Sequence, residues 1–175
     1  MTTVALVALG VAALAPLALA APRSPHWVSQ WATPSVVLAA LATAAIAGST
    51  TTPVTGFALG ATLVLCAAAA TTGGAPLVLA AFRIARRQSD AGTDPRPDAG
   101  PLRGGRVIGL LERAAVAAAI LAGWPEGIAV VLAVKSLARY PELREPHASE
   151  QFIIGTFTSV LWAIAVCGVG RALIT

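Results

Sequence analysis

From residue 24 to residue 82 the chain carries no Asp, Glu, Lys or Arg, an unbroken run of 59 residues. Water-soluble domains run at about 25% charged residues, because a surface facing water is built from them. Here the whole chain reaches 11%, against 57% apolar residues and a mean hydropathy of +0.78. A stretch of this length has to face lipid or other protein. Composition therefore excludes both a soluble globular enzyme and a disordered chain.

Six apolar segments predict an all-α fold, a polytopic transmembrane helical bundle of about six spans: Thr2–Ala21, Ser35–Gly48, Val54–Thr72, Gly104–Gly123, Ile128–Tyr140 and Gln151–Ile174. About 20 apolar residues cross the hydrocarbon core as a helix, and the first segment is that long. It ends in Ala18-Leu19-Ala20, a small-x-small pattern like a signal-peptidase site. Met1-Thr2-Thr3, however, supplies no positive side chain ahead of it. We read it as a retained helix with Pro16 inside; cleavage would leave five spans. Between the first two segments, Pro22–Pro34 holds Arg23, His26, Trp27 and Trp31, and its indoles suit the headgroup zone.

Turn residues close the second segment at Ser49-Thr50-Thr51-Thr52-Pro53 and the third at Gly73-Gly74-Ala75-Pro76. Pro76 then suits the first position of a new helix. Leu77–Gln88, ending in Arg83, Arg86 and Arg87, is too short to cross and is expected to lie on the cytoplasmic surface. The rival is one long, bent helix from Val54 to Arg87, broken at the two glycines. Ser89–Arg103 (SDAGTDPRPDAGPLR) is the linker. It divides residues 1–88, a three-span region with the surface helix 77–88, from residues 104–175, a three-helix membrane module.

The charge of +4 comes from eleven Arg and one Lys set against eight acidic residues. Basic residues at the ends of apolar helices report orientation, and they point to no nucleic acid partner. Putting Arg83–Arg106 in the cytoplasm leaves the linker 89–103 cytoplasmic and both termini outside. Ten of the twelve basic side chains then lie on or near the cytoplasmic side, Arg113 and Arg171 excepted. Abundant Ala, with Arg in place of Lys, is the composition of a GC-rich bacterial genome, so the expected location is a bacterial inner membrane.

Charges inside the last helices carry the strongest functional signal, since each costs roughly 2.5–3.5 kcal/mol near the centre of a span on insertion scales. The fourth segment holds Glu112 and Arg113; the fifth holds Lys135, Ser136 and Arg139. A hairpin centred between Pro125 and Glu126 sets Glu112 level with Arg139, with Lys135 one turn deeper on the same face. One reading is a structural clasp. A second is a pocket in which Arg113, Lys135 and Arg139 outweigh Glu112 and take an anionic lipid headgroup or substrate. A proton or ion pathway is the third.

Gly155, Thr156 and Ser159 form a small and polar stripe in the sixth segment, and Gly105 and Gly109 repeat the spacing in the fourth. Both are read as helix-packing positions. Trp162, in mid-span, needs an acceptor on another helix for its N–H. Cys66 and Cys167 are expected to be small buried hydrophobes. Lys135-Ser136 lacks the glycine-rich loop of a nucleotide site, and His26 and His147 stand apart from metal-ligand spacing, so no cofactor or metal is expected. The loop holding Glu142, Glu145, His147 and Glu150 is read as a solvated turn.

Ile108-Gly109-Leu110-Leu111-Glu112-Arg113, Ala133-Val134-Lys135-Ser136-Leu137-Ala138-Arg139 and Ile153-Ile154-Gly155-Thr156 resemble the C-terminal half of an uncharacterised bacterial integral membrane protein family with I-G-x-L-E-R, A-x-K-S-x-x-R and L-I-G-T helices. The resemblance covers about residues 104–170. The polar and acidic motifs usual in that family's N-terminal half are not recognisable in residues 1–88. It implies an integral membrane protein and supplies no reaction, substrate or cofactor. The expected role is a non-catalytic scaffold or accessory subunit, with the bilayer, an anionic lipid and a membrane-protein partner as its contacts. A small transporter or channel-like component using Glu112, Lys135 and Arg139 is the alternative, and a membrane enzyme acting on lipid the third.

Overall fold

A computed structural model describes residues 1–19, 28–89, 105–140 and 146–175. Apart from Ser89, the linker 89–103 lies outside these residues, as do Arg23, His26, Trp27, Glu142, Arg144 and Glu145. The described chain is helical, without a strand: α1 (Thr2–Leu19), a π-helical turn (Val28–Ala32) leading into α2 (Thr33–Gly48), α3 (Phe57–Ser89), α4 (Gly105–Leu121), α5 (Glu126–Ala138) and α6 (Pro146–Ile174). Four helical stretches are long and apolar enough to cross a membrane: Thr2–Leu19, Gln30–Gly48, Phe57–Arg87 and Ser149–Ile174. The α4–α5 hairpin, with helices of 17 and 13 residues, falls short of the usual span of about 20. Even so, Leu121 reaches Gly170, one turn from the end of α6.

The surface helix expected at 77–88 is not a separate element. Phe57–Ser89 is one helix with Pro76 inside it, roughly 50 Å long at 1.5 Å per residue. Proline is tolerated within a membrane helix where neighbouring helices satisfy the backbone groups it frees. Here the break-prone stretch is covered on both sides. A Cβ on Gly73 would lie 2.5 Å from the Trp162 ring, and one on Gly74 would lie 2.5 Å from Cδ of Arg113. Two glycines before a proline read as a stop, yet they are where Trp162 of α6 and Arg113 of α4 pack against α3.

In α1 and α2 small residues make up most of the buried face, with Leu9 and Val37 the large side chains fully buried among them. Ala5, Ala8, Ala12 and Ala13 of α1 and Ala40, Ala44 and Ala47 of α2 are buried, while Val4, Val7, Val11, Leu14 and Leu17 are exposed. Lipid solvates a large apolar side chain as well as protein does, so helices in a membrane pack through small residues that let backbones approach.

Cross-helix contacts set the levels of the bundle. The Arg83 guanidinium donates to the Gln30 carbonyl at 2.7 Å, and Arg87 sits 5.3 Å above the Trp31 ring. Thr72 Oγ1 donates to the Ala13 carbonyl at 2.7 Å. At the opposite end the Val54 N–H donates to the Leu173 carbonyl at 2.9 Å. The ends of α1, α3 and α5 and the starts of α2, α4 and α6 therefore share one end of the bundle, where Arg83, Arg86, Arg87 and Arg139 lie. Both termini lie at the other end.

Candidate functional site

The hairpin turn decides which charges meet. Gly123 takes the left-handed conformation, φ +75°. Its N–H donates to the Ile120 carbonyl at 3.1 Å, and the Trp124 N–H donates to the Ala119 carbonyl at 2.8 Å. These two bonds make a Schellman cap, which glycine alone adopts without strain. The chain thus reverses at Gly123–Trp124, before the Pro125–Glu126 centre assumed from sequence.

In consequence the Glu112 carboxylate pairs with Lys135, not with Arg139: Nζ to Oε2 is 2.5 Å, with the two side chains 19% and 16% exposed. Moving the centre of reversal back by about two residues exchanges Arg139 for the residue one turn earlier. Lys135 also lies 5.5 Å from the centre of the Phe152 ring of α6, a cation–π contact. Arg139 is the C-cap of α5, nearer the basic end, and Ser136 is exposed.

Arg113 turns to the other side of α4 and is 5% exposed. Its Nε donates to the Thr71 carbonyl at 2.7 Å and its Nη1 to Ser159 Oγ at 3.2 Å. One side chain thus joins α3, α4 and α6 just before the proline in α3. Among the described residues both acceptors are neutral. The sequence reading grouped Arg113 with Lys135 and Arg139; the structure sends it instead to Thr71 of α3 and Ser159 of α6. The signal that could have found its landing site was Gly73-Gly74, a place where some neighbouring side chain has to approach the backbone.

The packing residues divide. Gly155 meets the Phe82 ring, with a hypothetical Cβ at 3.0 Å, and Gly109 faces Nη1 of Arg113 at 3.4 Å. Gly105 has open space beside it, so it is no close-approach point. Ser159 is buried on Arg113, whereas the Thr156 hydroxyl is buried with no partner among the described residues. Trp162 finds the acceptor its depth demands, donating to the Ala69 carbonyl at 3.0 Å. Cys66 and Cys167 are free and buried, and Cys66 lies against Gly170. Among the described residues no three His, Cys, Asp or Glu side chains come together in a way that could hold a metal ion.

The arrangement can pair charges, hold a helical hairpin in register and present cations at one end. It contains no nucleophile hydrogen-bonded to a base among the described residues. No protein-family model, curated protein or solved structure matches the chain.

Proposed function

We propose that this protein is a multi-pass component of a bacterial inner membrane that acts as a non-catalytic scaffold or accessory subunit, with its basic end cytoplasmic and in contact with anionic lipid. The observation that carries this reading is the division of its charges. Glu112 and Lys135 neutralise each other as an ion pair inside the hairpin. Arg83, Arg86, Arg87 and Arg139 gather at one end, the pattern expected of cytoplasmic flanks beside anionic headgroups. Linker 89–103 is then cytoplasmic and both termini are outside. The resemblance of residues 104–170 to an uncharacterised bacterial membrane family belongs to the same proposal. The small-residue core leaves large apolar side chains on the outside for lipid or a partner helix.

The alternative, a small transporter or channel-like component, would use Glu112, Lys135 and Arg139, the first two of which form a largely buried ion pair. Purification in mild detergent, with bound proteins and lipids identified by mass spectrometry, separates the two. A scaffold brings down a stable partner together with phosphatidylglycerol or cardiolipin. Flux of a substrate or ion into liposomes containing the protein alone, lost on Glu112→Gln with folding retained, refutes the scaffold reading.

A further inference from the structure

Among the described side chains, the pairing of Glu112 with Lys135 leaves Arg113 a buried cation with no ion pair of its own. A buried guanidinium bonded only to neutral groups is poorly stabilised, because taking it out of water costs several kcal/mol. Its Nε and one N–H of Nη1 are used, and the remaining N–H groups have no acceptor among the described residues.

Thr156 supplies an independent observation. Thr43, Thr62, Thr71 and Thr72 all return their hydroxyls to a carbonyl of the preceding turn, the usual recourse in an apolar helix. Thr156 does not: it is 7% exposed and its Oγ1 is unpartnered. It sits three residues before Ser159, on the same side of α6 and one turn toward the basic end. On α4, Gly109 lies one turn toward that same end from Arg113, and the guanidinium packs over it, with Nη1 3.4 Å and Nη2 4.0 Å from where a side chain would begin. Gly105, a further turn along, borders open space. Gly105 and Gly109 therefore mark the face of α4 that leads from the basic end to the Arg113 guanidinium.

We propose that Arg113, Thr156 and Ser159 form a buried site for one small monovalent inorganic anion of the halide class, entered from the basic end along Gly105 and Gly109. One negative charge neutralises the interior, where a dianion would overshoot. Ser159 accepts from Arg113, and its own proton is left to donate. The site is too enclosed, with Arg113 5% and Thr156 7% exposed, for a phosphate carrying two acyl chains. This goes beyond the scaffold proposal and does not depend on it.

Trp162 is a built-in reporter, because its ring and Arg113 both border the Gly74 position. In a full-length variant with Trp27, Trp31 and Trp124 changed to Phe, bromide should quench Trp162 fluorescence saturably, and chloride should reverse the quenching. Thr156→Val and Ser159→Ala should each weaken apparent bromide affinity at least five-fold with unchanged helicity and elution. Thr156→Ser, which restores the hydroxyl, should recover it. Quenching that stays linear with bromide overturns the proposal, as does an affinity unchanged in Thr156→Val. Displacement of bromide by phosphatidylglycerol nanodiscs, but not by chloride, assigns the donors to a lipid phosphate and also overturns it. A charge swap at Glu112 and Lys135 should leave quenching within two-fold, so failure of the hairpin clasp and failure of the anion site read out separately.

Discussion

Removing the Glu112 carboxylate is the perturbation that most directly tests how the hairpin is held. Glu112→Gln leaves the Lys135 ammonium, 19% exposed, facing the Phe152 ring and an uncharged amide. Breaking a fully buried pair by deleting one partner costs about 3–5 kcal/mol. The residual exposure and the flexible lysine stem, which lets the head reach toward the interface, reduce that to about 2–3 kcal/mol. At 1.4 kcal/mol per decade the folded-to-unfolded ratio falls by roughly 30- to 150-fold. Lys135→Met should cost a similar amount. The double change Glu112→Gln with Lys135→Met should return to within about 1 kcal/mol of the parent, because no buried charge is then left without its partner. Reversible unfolding in bicelles, followed by steric trapping, gives all the corners of the cycle. The coupling energy should then be about 3 kcal/mol or more, at the top of the range for residues in contact. A coupling under about 0.5 kcal/mol, or a larger one between Glu112 and Arg139 in the parallel cycle, would refute the assigned register.

Three other changes probe neighbouring contacts. Trp162→Phe removes the donor to the Ala69 carbonyl and should cost about 1 kcal/mol, near the average for interhelical hydrogen bonds in membranes, measured by the same unfolding assay. Gly73→Ala drives a methyl group to 2.5 Å from the Trp162 ring and should destabilise by about 1–3 kcal/mol, whereas the same change at Gly60, which borders open space, should be neutral or slightly stabilising. Gly123→Ala puts a side chain at φ +75° and should cost about 1 kcal/mol; a larger loss of the Glu112–Lys135 coupling than of global stability would show that this cap sets the pairing. For topology, a reporter active only in the periplasm should be live when fused at Thr175 and dead at residue 95, and the reverse pattern would invert the proposed orientation.

Partition into lipid was legible from residue types alone. It sums local transfer free energies, so a charge-free stretch from residue 24 to 82 implies apolar helices whatever they later touch. Trp162's need for an acceptor was legible for the same reason, since an indole N–H in mid-span has no water to bond. What waited for the tertiary structure was every feature that turned on a fraction of a helical turn or on the reach of a long side chain. Glu112 met Lys135 because one left-handed glycine advanced the reversal. Pro76 stayed inside α3 because Trp162 and Arg113 fill the space beside Gly73 and Gly74. Arg113 left the other cations because its stem runs along α3 toward Ser159. Solvent preference is a property of each residue by itself, whereas register and side-chain destination exist only once two helices are packed together.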